Sequence, residues 1–215
     1  MQVKKTFYAR YIKRIADVFL STLILIVLLP VLVIAGILIK LDSAGPIIYT
    51  QIRAGKDGRP FTVNKFRTMV DKAEKMGDGL YVGMNDPRIT SVGGFLRKTS
   101  IDELPQLINV IKGEMSLIGP RPTLLYQVEQ YDDFQRQRLL VRPGITGWAQ
   151  VRGRNSLSWP ERIEHDVWYI NNLSFCTDLR IFFMTFKALF DTEGLYAEKS
   201  KFIIKDENEK SNWKS

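Results

Sequence analysis

Residues 18–39, Val18 to Ile39, read VFLSTLILIVLLPVLVIAGILI, and what they form decides the architecture of the whole chain. Only Ser21, Thr22, Pro30 and Gly36 interrupt the apolar run. At about 1.5 Å of rise per residue it is long enough to cross a hydrocarbon core of roughly 30 Å. It does not read as a cleavable signal peptide. The run is too long, and Lys40-Leu41-Asp42 follows where a small-residue cleavage site should be. Pro30 removes a helical hydrogen bond in mid-run, which predicts a kink. Both flanks are basic: Lys4, Lys5, Arg10, Lys13 and Arg14 precede the run, and Lys40, Arg53, Lys56 and Arg59 follow it. Phe7, Tyr8 and Tyr11 interleave with the first group, as at a membrane surface. The positive-inside bias therefore gives no direction. Two arrangements fit: a straight span, and a hairpin-like helix that enters one leaflet, bends at Pro30 and returns.

Outside this run the 215 residues carry a formal net charge of +8. A basic excess suits anionic membrane surfaces, nucleic acid or phosphorylated substrates, and composition does not choose among them. Cys176 is the only cysteine, which excludes an intrachain disulfide and makes a reducing compartment the simpler assumption. His165 is the only histidine, so His-rich metal sites are excluded and carboxylates remain as metal ligands. Its position within a helical pattern reads as a packed or exposed helix residue rather than a catalyst. No internal repeat or low-complexity segment is present.

Downstream, Ile47–Ile52 and Phe61–Phe66 predict two short strands around Gly55-Lys56-Asp57-Gly58, a turn suited to a hairpin. The second strand runs into Lys65-Phe66-Arg67, with both cations on one face: a solvated face, or a phosphate-facing edge. A short polar helix over 70–76 leads to a glycine-rich loop, Gly77 to Gly83, expected to be mobile. Asn85-Asp86-Pro87-Arg88 then turns the chain toward Gly93-Gly94-Phe95-Leu96-Arg97-Lys98. Farther on, Ser158-Trp159-Pro160-Glu161 is a capping-box start, and the helix after it carries Trp159, Ile163, Val167 and Ile170 on one face. Leu179–Phe190 is too short to span; with Arg180 and Lys187 it reads as an interfacial helix or as a buried core helix. From Ala197 the chain is polar and loosely ordered by composition.

The chemistry concentrates in Thr99-Ser100-Ile101-Asp102-Glu103-Leu104-Pro105-Gln106-Leu107 and in Gly119-Pro120-Arg121-Pro122. Proline is tolerated in a first helical turn, which places Asp102 near an N-cap and Glu103 just inside. Leu104, Leu107, Ile108 and Ile111 then form the buried stripe. Two acids at a helix start are also ordinary capping partners. Here Arg97, Lys98 and Arg121 flank them, and a carboxylate among cations stays ionised as a nucleophile or metal ligand. An arginine braced between prolines suits bidentate phosphate contact.

Asp102-Glu103-Leu104-Pro105-Gln106, Gly119-Pro120-Arg121-Pro122 and the run Arg142-Pro143-Gly144-Ile145-Thr146-Gly147-Trp148-Ala149-Gln150-Val151, closed by Gly153-Arg154-Asn155, resemble the signature of the bacterial sugar transferases, or monotopic phosphoglycosyl transferases. The resemblance covers about Lys13 to Asp191 and corresponds to the minimal form of that family. Members often carry serine before the membrane-helix proline, where this chain has Leu29. The resemblance implies an α+β, mainly helical monotopic membrane protein. It would have a re-entrant helix broken at Pro30, a small β-hairpin and interfacial amphipathic helices. Residues 1–41 would be the anchor, 42–196 a cytoplasmic catalytic domain lying on the membrane, and 197–215 a tail.

It further implies transfer of a sugar-1-phosphate from a UDP-sugar to undecaprenyl (polyprenol) phosphate, with release of UMP, at the cytoplasmic face of a bacterial inner membrane. By the same resemblance Asp102 would attack the sugar-bearing phosphate, giving a covalent aspartyl phosphosugar. Glu103, with Asp102, would hold Mg²⁺, the implied cofactor. Arg97, Arg121, Lys65 and Arg67 would grip phosphate oxygens, and Arg152, Arg154 and Arg88 would contact nucleotide or sugar. Membrane lipids are further partners, and a homodimer is left open. Two other readings stand beside this one. The transfer could occur by direct attack, with the acids binding metal only, or the chain could be a non-catalytic basic membrane-surface protein. No nucleic-acid-binding motif is present.

Overall fold

The computed structural model describes residues 6–76, 82–83 and 86–190. Most of the expected Gly77–Gly83 loop and all of the tail from 197 lie outside the described residues. The architecture is mainly helical with two small two-stranded sheets, which bears out the α+β, mainly helical expectation. The apolar run forms α1, Lys13–Asp42, preceded by a wide helical turn at Tyr8–Ile12. The helical assignment continues through Pro30. Leu29, Val33, Ile37 and most other large apolar residues of its middle are exposed, and only Asp17, Ser21, Ala35, Gly36 and Ile39 are buried. Among the described residues α1 is the one helix long and apolar enough to cross a membrane by length and composition.

Both ends of α1 are tied to the same body of the protein. Near its start, Arg14 donates to the carbonyls of Val110 (2.5 Å) and Ile111 (2.8 Å). Asp17 accepts from Ser116 Oγ (2.8 Å) and the Leu117 amide (3.1 Å). Lys13 pairs at 2.7 Å with Asp178, which also accepts from Tyr8 (2.6 Å) and Tyr169 (2.7 Å). At its far end, Asp42 accepts from the Val92 amide (3.0 Å), and Ala35 and Ile39 pack with Phe66 and Leu96.

The predicted hairpin is present as β1, Ile48–Ala54, antiparallel to β2, Pro60–Phe66, with Ile48 opposite Phe66 and Ala54 opposite Pro60. Next come α2, Ser91–Lys98, capped by Thr90, whose hydroxyl accepts from the Gly93 amide, and α3, Gln106–Lys112. A second sheet pairs β3, Ser116–Ile118, in parallel with β4, Gly144–Thr146. Its strands are too short to show an alternating pattern in sequence. Between them lie α4, Leu125–Glu129, and α5, Asp133–Arg136. The backbones of β3 and β4 close so tightly at their ends that a Cβ on Gly144 would stand 2.1 Å from the Gly119 amide nitrogen, and one on Gly119 2.5 Å from the Arg142 carbonyl. Both positions therefore require glycine, and the contact launches the Pro120-Arg121-Pro122 turn from a fixed point.

The chain ends its described part in α6, Trp148–Arg152, α7, Trp159–Asn171, and α8, Phe175–Phe190. The Ser158–Glu161 capping box is formed, and Trp159, Ile163, Val167 and Ile170 are all buried, as their spacing predicts. On α8, Ile181 is fully buried, whereas Leu179, Phe182, Phe183 and Phe186 are exposed beside Arg180 and Lys187. These side chains form one exposed, mostly aromatic face of the helix. His165 is half-buried on α7.

Candidate active site

The carboxylate pair does not cap α3. Helix α2 stops at Lys98, Ser100 takes a left-handed conformation (φ 56°), and Ile101–Glu103 form a separate 3₁₀ turn with Pro105 at the N-cap of α3. A non-glycine residue in that region costs on the order of 1 kcal/mol, offset here by the packing of Ile101 under Phe66 and Leu96. The extra turn shifts the phase of the helix after it. Gln106, Leu107, Asn109 and Val110 are buried, so the predicted stripe of Leu104, Leu107, Ile108 and Ile111 is corrected at Ile108, which is exposed, while Leu107 is buried and Leu104 and Ile111 are half-buried.

Two cations meet Glu103. Lys65, from β2, stands 2.9 Å from its Oε1, and Arg121 contacts Oε1 at 2.8 Å and Oε2 at 3.5 Å. Burial alone would raise the Glu103 carboxyl, but the charges of Arg121 and Lys65 outweigh it and hold the group well below the usual carboxylate range. Burial lowers the Lys65 ammonium against the pull of Glu103. Asp102 is pushed up to about 6, by burial first and by Glu103 second, with Lys65, Arg97 and Arg121 opposing. The acids thus diverge: one is locked ionised between cations, and its neighbour is a partly desolvated, more basic carboxylate. Arg97 is placed by α2, its Nε donating to Thr68 Oγ1 at 2.8 Å. Arg121 keeps 48% of its side chain exposed, so its fork can reach a further anion.

Lys65, Arg97, Arg121, Asp102 and Glu103 are therefore brought together as expected. Arg67 and Arg88 are not. Arg67 is buried and donates to the carbonyls of Ser43 (2.7 Å) and Ala44 at the C-terminal end of α1, where orphan helix carbonyls need donors. Arg88 is buried in an ion pair with Asp86 (2.6 Å) and donates to the carbonyls of Ala73 and Met76. The phosphate and nucleotide roles expected of these two are corrected to structural ones. Arg152 lies over the Trp148 ring at 4.4 Å, Arg154 sits in the turn after α6, and Lys98 is exposed at the end of α2.

Three site arginines escaped the sequence reading. Arg53, on β1, donates to Gln51 and to the Pro122 carbonyl (3.3 Å), and burial, with Arg121 beside it, lowers its guanidinium to about 10. Arg162 is lowered to about 10 by burial and by Arg121 and Arg138. Arg138 holds the backbone of Arg121 from below, donating to its carbonyl at 3.1 Å. Arg53 and Arg162 are thus lowered first by burial and then by neighbouring cations, whereas Arg121 and Arg138 are raised by Glu103 and Asp166, and the excess of positive charge around the carboxylate pair favours an anion.

The donor set also fits Mg²⁺. Glu103 Oε2 receives only the long Arg121 contact, and Asp102 is adjacent. Among the described residues no third His, Cys, Asp or Glu joins them, so water and substrate phosphate would complete the shell, which is how Mg²⁺ is usually held.

Comparison with known proteins agrees with this geometry. The profile of the family described as bacterial sugar transferase matches residues 8–192. The chain is 41% identical to the uncharacterized sugar transferase EpsL of Bacillus subtilis, over 86% of this chain and 90% of that one. It is 38% identical to the exopolysaccharide production protein ExoY of Sinorhizobium fredii, over 86% and 88% respectively. It is 44% identical to the UDP-glucose:undecaprenyl-phosphate glucose-1-phosphate transferase of Escherichia coli, covering 87% of this chain but 42% of that protein. On this match, and on the site built by Asp102, Glu103, Lys65 and Arg121, the chain belongs to the bacterial sugar transferase family.

Proposed function

We propose that the protein moves a sugar-1-phosphate from a UDP-sugar to undecaprenyl phosphate, releasing UMP. The observation that carries this reading is Glu103 held between Lys65 at 2.9 Å and Arg121 at 2.8 Å, directly beside Asp102. An Asp102 oxygen attacks the phosphorus bearing the sugar, and the bond to the nucleotide phosphate breaks, its electron pair leaving with UMP. Arg121 and Lys65, which share the single carboxylate of Glu103 in the free protein, are positioned to take up charge on the departing oxygens. The acceptor's phosphate oxygen then attacks the same phosphorus and returns Asp102 to a carboxylate. Glu103 and Asp102 are the residues that would hold Mg²⁺, which when bound supplies positive charge to the diphosphate. Names borne by relatives support the donor and acceptor classes: the Salmonella typhimurium protein at 39% identity is an undecaprenyl-phosphate galactose phosphotransferase.

The same reading makes α1 a re-entrant anchor, residues 1–41 being the anchor segment and 42–196 the catalytic part on the cytoplasmic face. The support is physical. A straight 30-residue helix would be about 45 Å long and would leave its ends in opposite aqueous phases. Arg14 and Asp17 at one end and Asp42 at the other grip one body, which cannot lie on both sides. Cysteines introduced at Arg10 and at Lys56, in a Cys176→Ser background, should both react with an impermeant thiol reagent from the cytoplasmic side of inverted vesicles. Labelling of the two from opposite sides would end the re-entrant reading.

The reaction itself is tested by offering nanodisc-held protein a panel of UDP-sugars with undecaprenyl phosphate and Mg²⁺. UMP and a lipid-linked diphosphosugar should appear with at least one donor. A folded protein silent across the panel would favour a non-catalytic membrane-surface role.

A further inference from the structure

The first strand of the hairpin carries its polarity inside out. Side chains alternate along β1, and the outer row, Ile48, Thr50 and Ile52, is exposed, Ile52 by 57%. The half-buried row on the other face is Tyr49, Gln51 and Arg53. A surface strand ordinarily buries its apolar side and shows water its polar one, so a polar row turned inward calls for a polar occupant. No step described above uses Tyr49 or Gln51. We propose that these two residues read the hydroxyls of the donor's sugar and so set which UDP-sugar the protein accepts. The inference rests on the transferase reading and adds to it where the sugar lies.

Strand register places the row at the site. Tyr49 stands directly opposite Lys65, so both side chains leave the same face of the sheet with Cβ atoms about 5 Å apart. Lys65 in turn contacts Glu103 at 2.9 Å. Successive members of the row lie about 7 Å apart along the strand, the scale of one sugar ring. The far member, Arg53, reaches the Pro122 carbonyl at 3.3 Å, next to Arg121. One polar row thus runs from beside Lys65 to the Pro120-Arg121-Pro122 turn. In the proposed transfer the sugar stays on Asp102 while UMP departs, so the groups that read it belong on the Lys65 side, where Tyr49 and Gln51 are. Their chemistry suits the task. Arg53 donates from Nε to Gln51 Oε1 at 2.9 Å and from Nη2 to the same oxygen, which fixes the amide and turns its Nε2 away from the arginine. Among the described residues that amide nitrogen donates to nothing, and neither does the Tyr49 hydroxyl. Burial first, then Glu74, raises the Tyr49 phenol against the pull of Arg53, so it keeps its proton and can donate. A neutral amide and a phenol match hydroxyls, which both donate and accept. The diphosphate is served by cations instead, and the polyprenyl acceptor offers no hydroxyl.

The test removes one hydrogen-bonding group at a time and compares donors. In nanodisc-held full-length protein, Gln51→Ala and, separately, Tyr49→Phe should each lower kcat/KM for the preferred UDP-sugar about tenfold, the loss of one good hydrogen bond. The parent should discriminate about tenfold against a monodeoxy analogue of that donor that lacks a hydroxyl so read. With one such analogue each variant should equal the parent, because the bond is already gone. The inhibition constant of UMP should stay within about twofold in both variants. Thr50→Val, on the exposed face of the same strand, should match the parent throughout. Tyr49→Phe keeps the ring and its packing, so it decides the matter if Gln51→Ala folds poorly. The proposal is overturned if a folded variant loses the same factor with every analogue, the signature of a group that only orients Arg53. It is also overturned if UMP inhibition weakens in step, which would place the row at the nucleotide. If the parent releases no UMP from any UDP-sugar, the transferase reading has failed; if it does and the variants keep the parent's pattern of donor preference, that reading stands and this one falls.

Discussion

Asp102→Asn is expected to lower kcat by at least about 10⁴-fold while leaving a folded protein, and to abolish any mass increase of a sugar phosphate on the polypeptide. The amide has the shape of the acid but cannot form an acyl phosphate. Stability should not suffer. Asp102 makes no ion pair or hydrogen bond among the described residues, and burial together with Glu103 already disfavours its charge. Removing that charge relieves a like-charge contact. Glu103→Gln should behave differently: it leaves Lys65 and Arg121 facing each other without their shared carboxylate, so a loss of stability accompanies the loss of rate. Intact mass of the parent after brief mixing with donor alone should show the phosphosugar adduct, and Asp102→Asn should show none. An Asp102→Asn enzyme within tenfold of the parent would mean that the acceptor attacks the donor directly and that the two acids serve only to bind.

Which parts of this molecule could be read in advance follows from what kind of interaction fixes each part. The hairpin, the Ser158 capping box and the buried face of α7 are set by residues a few positions apart, and period and turn chemistry report them directly. The Asp102–Glu103 pair and Arg121 were legible because their motifs are local, although the 3₁₀ turn that presents the acids was not. It depends on Ser100 adopting a left-handed conformation while Ile101 packs against a cluster that includes Ala35, Ile39 and Phe66, residues that meet it only in space. Arginines were the least legible. Lys65 and Arg67 lie two apart in one basic stretch, yet one is at the carboxylates and the other closes the end of α1. A guanidinium is assigned by whichever carbonyl or carboxylate lies within its reach, and that is decided by the tertiary fold. For the same reason Arg53, Arg138 and Arg162 went unnoticed, and so did the buried acids Asp17, Asp166 and Asp178, each of which joins segments far apart in the chain.

Asp166→Ala should destabilise the protein by about 3–5 kcal/mol, because it strands the Arg138 guanidinium in the core. The two side chains meet at 2.6 Å with 4% and 2% of their surfaces exposed. Arg138 also donates to Tyr131 (2.7 Å), whose hydroxyl donates to Thr123 (2.9 Å), so the pair braces the chain on both sides of Pro122. Thermal unfolding should fall by about 10 °C. Replacing both residues, Arg138→Met with Asp166→Leu, should recover most of that loss, since apolar groups of similar volume need no partner. It should not recover donor affinity, because the hydrogen bond to the Arg121 carbonyl goes with Arg138; KM for the UDP-sugar stays raised in a protein that melts like the parent. A double variant with parental KM would show that Arg121 is placed by its prolines alone. The pair also has a pH signature. Burial pushes Asp166 up to about 6 against the pull of Arg138 and Arg162. Its unfolded value is about 3.9, so the native state binds the proton more tightly. The parent's stability relative to Asp166→Asn is therefore greatest below about 4, declines as pH rises to about 6 and is level above it. An ion pair formed for stability alone would show the opposite slope. The slope expected here fits a pair whose charge is retained, at some cost, to fix where Arg121 stands.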